Sequence, residues 1–468
     1  MTREHLTAAL PEKVVALELL LRDGLQHSHK VIPTDTKVWF GDQLVKAGYN
    51  YLEVTNFAHP KALPQCLDAE ESLKKVSELE SVRKNKVHLK CYGMTRKAFE
   101  RAAECAQKGY GPNSVAFTIS TEDLHCRRNA GRTRAEYFKD IPDFVRIGKE
   151  HGFAVDMAIA CVYGSPCAGP VPIENTYELI DRGLDLGIRY FTPCDTTGES
   201  NPRRSYEYMA SLVDRYGKHD HEMKYKIAHF HESRGLSLAN TIAAIQGGAR
   251  VVESSLGSGG GQPAFIVNSV AGIGTGPLYT NSFEVGNCSS EDILVALEEM
   301  GIATGIDVDR LLQLGRVFEW IMEKSLPVWT TKSGRPIKYP VEWNVSADDL
   351  SYVPPFGPPQ MYWADPGKYK PATLSQIQQV FEGREANIDF LKEGLAKAEA
   401  NWPTALLGAK GSSNGTGKAG DTSSDRGQRG AAAPGKATKE ASASPSRSAG
   451  ISGRKGAATQ AKAKARDR

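Results

Sequence analysis

Lys13-Val-Val-Ala-Leu-Glu-Leu-Leu-Leu-Arg-Asp-Gly-Leu-Gln26 decides the fold class of this 468-residue chain. Its first seven residues form a short apolar run of the kind that makes a β-strand. The turn after the run discriminates between α/β folds. An open doubly wound sheet carries a GxGxxG phosphate fingerprint after its first strand. Here the turn reads Leu21-Arg22-Asp23-Gly24-Leu25-Gln26 and has no such fingerprint. Seven more strand candidates lie at 50–57, 87–93, 114–120, 154–163, 189–195, 223–231 and 250–257, rich in Val, Ile, Tyr and Phe. Helix-length stretches lie between them at 34–48, 97–108, 134–151, 173–187, 205–217 and 235–247, several ending at glycine as helix C-caps prefer. Eight βα units over roughly 250 residues predict an α/β chain built as a closed (β/α)8 TIM barrel, with the barrel domain spanning 1–304.

Composition sets the surroundings of that barrel. The chain is 24% charged and 40% hydrophobic, ordinary for a globular protein with a large core. The net charge of +3 hides a split: residues 411–468 carry 12 Lys+Arg against 4 Asp+Glu, or +8, which leaves −5 for the rest. From about residue 408 the sequence is Gly, Ser, Ala, Thr, Lys and Arg, with Ile451 as its one large apolar residue. Such a segment cannot bury enough surface to offset its ordering entropy, so a disordered basic tail is expected over 408–468. It serves either as a solubilising tail or as a non-specific tether to polyanions. The intervening 305–407 reads as a helical extension, with helices at 307–324 and 374–400 around a proline-rich stretch at 352–370. Trp329, Trp343 and Trp363 in polar surroundings suggest a contact surface, against the barrel or a second subunit, and a homo-oligomer, a dimer, is expected. No apolar run reaches 18 residues and the first ten residues make no secretory signal, so no membrane partner is expected. Eight cysteines without a CxxC pair argue against a disulfide framework and for a reducing cytoplasm.

In a TIM barrel the chemistry gathers where strands end and βα loops begin. Strand one runs into Arg22-Asp23, strand two carries Glu53, and strand six ends in Asp195-Thr196-Thr197. Strand seven ends in His229-Phe230-His231-Glu232, and strand eight opens the loop Gly257-Ser258-Gly259-Gly260-Gly261-Gln262. His229 and His231 are two apart on a strand and so share a face. With Asp23 opposite they make an N/N/O ligand set that suits Mg²⁺ or Mn²⁺, with Zn²⁺ a further candidate. The bland alternative is a pair of satisfied strand-end histidines. Arg22 cannot lose its charge and can stabilise an oxyanion, or it can simply pair with Glu18 or Glu53.

These motifs resemble 3-hydroxy-3-methylglutaryl-CoA lyase and its superfamily, the DRE-TIM metallolyases. The resemblance is carried by 21–26, by Leu52-Glu53-Val54-Thr55-Asn56-Phe57 with Pro60-Lys61, by Pro64-Gln65 with Asp68, and by Asp195-Thr196-Thr197-Gly198. It continues through His229-Phe230-His231-Glu232-Ser233-Arg234-Gly235, Leu238-Ala239-Asn240-Thr241 and Gly286-Asn287 before Glu291-Asp292. It implies that Asp23, His229, His231 and Asn287 hold a divalent metal, that Arg22 holds a carbonyl or enolate oxygen, and that Glu53 and Asp195 support the site. The substrate it implies is a small molecule, a CoA thioester by analogy.

Two departures separate this chain from the lyase pattern. The lyase loop reads Gly-Gly-Cys-Pro, and that cysteine is its catalytic acid/base. Here the loop reads Gly260-Gly261-Gln262-Pro263, and glutamine cannot relay a proton at ordinary pH. About 17 residues more than in the lyase pattern lie between that loop and Asn287. A second signature, Cys-Pro-Tyr-Glu-Gly, reads Ser165-Pro166-Cys167-Ala168-Gly169. The replacement acid is sought first at His27 and His29, with Cys167 and Tyr279 behind them. Cys288 reads as a buried filler. The expected reaction is retro-aldol or retro-Claisen cleavage of a 3-hydroxyacyl-CoA or related hydroxy acid, with Asp23, His231 or a metal-bound hydroxide as base. A condensing acyltransferase of the isopropylmalate or homocitrate synthase type, and an inactive metal-binding homologue, stand as alternatives.

Overall fold

A computed structural model describes residues 10–26, 28, 30–60, 63–261, 266–267, 270–271 and 286–336. Eight parallel strands close a barrel: β1 (Val15–Glu18), β2 (Tyr51–Asn56), β3 (His88–Tyr92), β4 (Ser114–Ser120), β5 (Ala154–Ala160), β6 (Tyr190–Asp195), β7 (Ile227–Phe230) and β8 (Val251–Ser254). Closure is made by β1 lying against β8, with Val15 opposite Val251 and Glu18 opposite Ser254, while Glu18 also registers with Leu52 of β2. All eight strands expected from the sequence are present, trimmed at their ends where the chain leaves the sheet for the loops. No helix among the described residues is long and apolar enough to cross a membrane.

The helices pack their apolar stripes on the outside of the barrel. Arg134–His151 begins at a capping box, the Thr133 side chain accepting from Glu136 while Glu136 reaches back, and ends at Gly152 with φ 78°. Its Phe144 stacks on Phe99 at 4.3 Å between ring centroids and meets Phe117 of β4 edge-on. Each such buried ring adds roughly 1.5–3 kcal/mol of apolar burial. Helices Ala69–Glu78, Glu80–Asn85, Asp123–Ala130 and Ser290–Glu299 complete the ring of connections beyond those expected.

The sequence placed Arg22 and Asp23 at the end of strand one, whereas β1 stops at Glu18 and the pair sits in a one-turn π-helix, Leu20–Gly24. The cause is local. The Glu18 carboxylate accepts from the Leu20 amide at 3.0 Å and from the Leu256 amide at 2.8 Å, which turns the chain out of the sheet. The extension begins with Val308–Met322, capped by the Asp307 side chain on the Arg310 amide. Its Phe318 meets Phe40 edge-on at 5.8 Å, so this helix packs on the barrel itself. Trp329 is 75% exposed just beyond it. Trp343, Trp363, the rest of the extension and the basic tail lie outside the described residues. The eight cysteines are all free.

Candidate active site

The lumen of this barrel is charged where most are apolar. At its C-terminal mouth, β7 delivers His229, and His231 comes next in a bridge to Asn287. The ring of His229 presents Nδ1 to Glu253 Oε2 at 2.8 Å, and His231 presents Nδ1 to the Thr196 carbonyl at 2.7 Å. A carbonyl and a carboxylate accept hydrogen bonds, so each Nδ1 carries the proton. That leaves the two Nε2 atoms facing each other at 3.2 Å with lone pairs on both sides. Such a pair calls for a metal ion or a shared proton between them. A carboxylate oxygen of Asp23 lies in the same cluster, all three ligand atoms falling within 4.8 Å of one another. Asn287 completes the picture. Its Nδ2 donates to the Gly259 carbonyl at 3.0 Å, while its Oδ1 is buried with no hydrogen-bond partner. An orphaned buried acceptor is costly unless something else satisfies it. Two aimed imidazole nitrogens, a carboxylate and a spare amide oxygen fit a divalent cation.

Asp23 is held ready for that cation. Burial works to raise its carboxyl, but Arg22, His231, His229 and the Asn287 amide outweigh it and hold it below the usual carboxylate range. Gln26 donates from Nε2 to Asp23 Oδ1 and, at 2.6 Å, to the Gly261 carbonyl, tying the strand-one turn to the strand-eight loop. The two segments touch so closely that a Cβ at Gly260, where φ is +93°, would sit 2.6 Å from the Asp23 carbonyl oxygen. Arg22 stands beside the cluster with its guanidinium 4.2 Å from the Tyr92 ring centroid. Its Nε donates to Glu53 Oε2 at 2.7 Å and its Nη1 to Gln26 Oε1 at 3.4 Å, which fixes the plane of a group that lines the cavity. The cavity, of about 160 Å³, is lined by these groups and by Asn56, Leu63, Met94, Thr118, Asn129, Ala158, Thr192, Cys194 and Thr196.

Not every residue picked from the sequence faces this cavity. Asp195 accepts the Glu199 amide at 2.8 Å and the Ser200 amide at 3.1 Å, so its carboxylate shapes the loop after β6. Burial pushes that carboxyl up to about 6. It reaches the ligands indirectly, through the Thr196 carbonyl that orients His231. Cys288 is fully buried and its thiol is pushed up to about 12, in keeping with a filler role. His27, His29, Gln262 and Tyr279 lie outside the described residues.

Two residues at the heart of the site escaped the sequence reading. Glu253 orients His229, and Lys90 donates to Glu253 Oε1 at 3.1 Å while its Nζ lies 3.9 Å from Glu53 Oε1. Burial alone would raise the Glu253 carboxyl, but Lys90 and His229 hold it down at about 2. The signal available was a single charge in the middle of an apolar strand, Leu89-Lys90-Cys91 and Val252-Glu253-Ser254.

The HMGL-like family profile matches residues 13–318, about two thirds of the chain. The chain belongs to the HMGL-like family. Among HMGL-like relatives, hydroxymethylglutaryl-CoA lyase YngG of Bacillus subtilis is 29% identical over 320 residues, covering 68% of this chain and 96% of that protein. The mitochondrial hydroxymethylglutaryl-CoA lyase of Homo sapiens is 26% identical over 306 residues, covering 65% of this chain and 85% of that one. In three dimensions this HMGL-like chain is similar to an HMG-CoA lyase of Acinetobacter baumannii, solved with coenzyme A and 3-methylmalate. The TM-score is 0.60 at 27% identity, over 73% of this chain and 100% of the other.

Proposed function

We propose that this HMGL-like protein is a divalent-metal-dependent carbon–carbon lyase that cleaves a 3-hydroxyacyl-CoA or a related hydroxy acid. The observation that carries the reading is the facing Nε2 pair of His229 and His231 beside the unpartnered Asn287 Oδ1, in the cavity that Arg22 lines. Asp23, His229, His231 and Asn287 would hold the ion. An ion held there would supply Lewis-acid chemistry, lowering the pKa of a substrate hydroxyl. Asp23 or His231 would accept the hydroxyl proton. The Cα–Cβ bond breaks to give a new carbonyl and an enolate. Arg22, fixed by Glu53, offers N–H bonds to the enolate oxygen. An acid other than a loop cysteine protonates the enolate carbon, and His27 and His29 are the candidates, since Gln262 stands at the position of the lyase cysteine.

The family relatives support CoA as the carrier, because coenzyme A is bound in the Acinetobacter structure. The Gln262 replacement argues that the acyl group differs from 3-hydroxy-3-methylglutaryl. The test is a screen of 3-hydroxyacyl-CoA thioesters and free hydroxy acids with the full-length chain and Mg²⁺ or Mn²⁺, read by mass spectrometry. Cleavage to a short acyl-CoA without any acceptor, abolished in His231→Ala, is expected. Release of free CoA that requires a 2-oxo acid would replace this reading with the condensing one. Metal binding without turnover on any substrate would replace it with the inactive one.

A further inference from the structure

Four charged side chains alternate in sign across the lumen and end on the His229 imidazole. Arg22 Nε meets Glu53 Oε2 at 2.7 Å, and Glu53 Oε1 lies 3.9 Å from Lys90 Nζ. Lys90 Nζ meets Glu253 Oε1 at 3.1 Å, and Glu253 Oε2 meets His229 Nδ1 at 2.8 Å. Lys90, Glu53 and Glu253 are each at most 3% exposed, so water does not screen the line. Lys90 is its centre. It rises from β3, whereas Glu253 belongs to β8, and the two meet only because the barrel brings distant strands to one lumen.

The Glu253 carboxylate makes two contacts here, one to Lys90 and one to His229. The first fixes its plane, and the second uses that plane to aim the imidazole. Without the lysine, the carboxylate would keep one anchor, and that anchor is the ring it is meant to orient. We propose that Lys90 is a positioning residue: by pinning Glu253 it keeps His229 in the orientation that ligates the metal. The inference rests on the metal-binding part of the proposed function and not on the identity of the substrate.

The sign of one measurement separates this role from its rivals. A lysine near a divalent ion repels it, so a Lys90 that acted only as a charge would weaken metal binding, and its removal would tighten it. A Lys90 that acted only as packing would leave affinity unchanged. A positioning role predicts weaker binding on removal, by about 10- to 100-fold as for other outer partners of metal ligands.

The experiment is Mn²⁺ binding to the full-length chain, with no substrate, monitored by the electron paramagnetic resonance of the free ion. Lys90→Met is expected to raise the Kd about 10- to 100-fold. Because removing one buried cation can unfold the barrel, Lys90→Met/Glu53→Gln, which removes one anion with it, is measured beside it and is expected to show the same weakening. Glu53→Gln alone is the reference for the double variant and is expected to weaken Mn²⁺ binding less than Lys90→Met does. An unchanged or lower Kd in either folded Lys90 variant overturns the proposal, as does a Glu53→Gln effect equal to that of Lys90→Met. Wild-type chain that binds no Mn²⁺ overturns the metal reading itself, and this proposal with it.

Discussion

Arg22 shows how one side chain serves two masters through geometry. Its Nε is spent on Glu53 at 2.7 Å and its plane on the Tyr92 ring at 4.2 Å, which together aim the remaining N–H bonds. Lysine has a single nitrogen and no plane, so it cannot keep the Glu53 contact and also present a fixed donor. Arg22→Lys is therefore expected to lower kcat about 100-fold or more while the Mn²⁺ Kd stays near wild type. Steady-state kinetics beside a binding titration checks both halves, and an equal loss of metal affinity would contradict the assignment. At this scale the sequence was most legible where residue type alone restricts chemistry. An HxH pair and an Arg-Asp dyad have few uses at barrel mouths, and the structure brings all four residues together. Asp195 was read only as a supporting group, and its carboxylate is occupied by the backbone amides of Glu199 and Ser200. Lys90 and Glu253 show in the sequence only as single charges in apolar strands, because their partners are set by barrel closure, which no local pattern records.

Two buried acids govern the elements that frame the site. Glu18 ties the β1 turn to the β8 loop through the Leu20 and Leu256 amides and accepts from Ser290 Oγ at 2.6 Å. Glu291 accepts the Gly257 amide with both oxygens at 3.0 Å. Burial pushes Glu18 from 4.5 up to about 7 and Glu291 from 4.5 up to about 8. A folded pKa above the unfolded one means the stabilisation is complete below about 4.5 and is lost as pH rises through 7 to 8. The wild-type Tm is expected to decline more steeply from pH 6 to pH 9 than that of Glu18→Gln/Glu291→Gln. Parallel profiles in a thermal-shift series would contradict this. The strands themselves were legible because eight apolar runs are hard to mistake. Helix Asp123–Ala130 was not, since its buried residues are only His125 and Cys126 and no apolar stripe marks it.

On the scale of the whole chain, charge divides where composition does. Residues 411–468 carry +8, and every group placed in the candidate site lies before residue 288. Deleting 411–468 is expected to leave kcat/KM within about twofold at physiological salt, where charges beyond a Debye length of about 8 Å are screened. A large loss, measured on the substrate found in the screen, would place the tail in the working enzyme. With −5 on the remainder, the proposed capture of an anionic substrate would fall to Arg22 and the proposed ion, since the net charge gives no long-range attraction.

Barrel closure also dictates the order of events on the ribosome. Lys90 and Glu53 emerge early, but Glu253 and the β8 edge that completes β1 are made 163 residues after Lys90. Until then a closed lumen would enclose a lysine whose nearest anion is 3.9 Å away, so the nascent barrel has reason to stay open and hydrated. Nascent chains arrested with β8 still in the exit tunnel should be cut readily by protease along β1 to β3, and chains released past Glu299 should resist. The last barrel strand to be synthesised is thus the one that brings Lys90 its closest carboxylate.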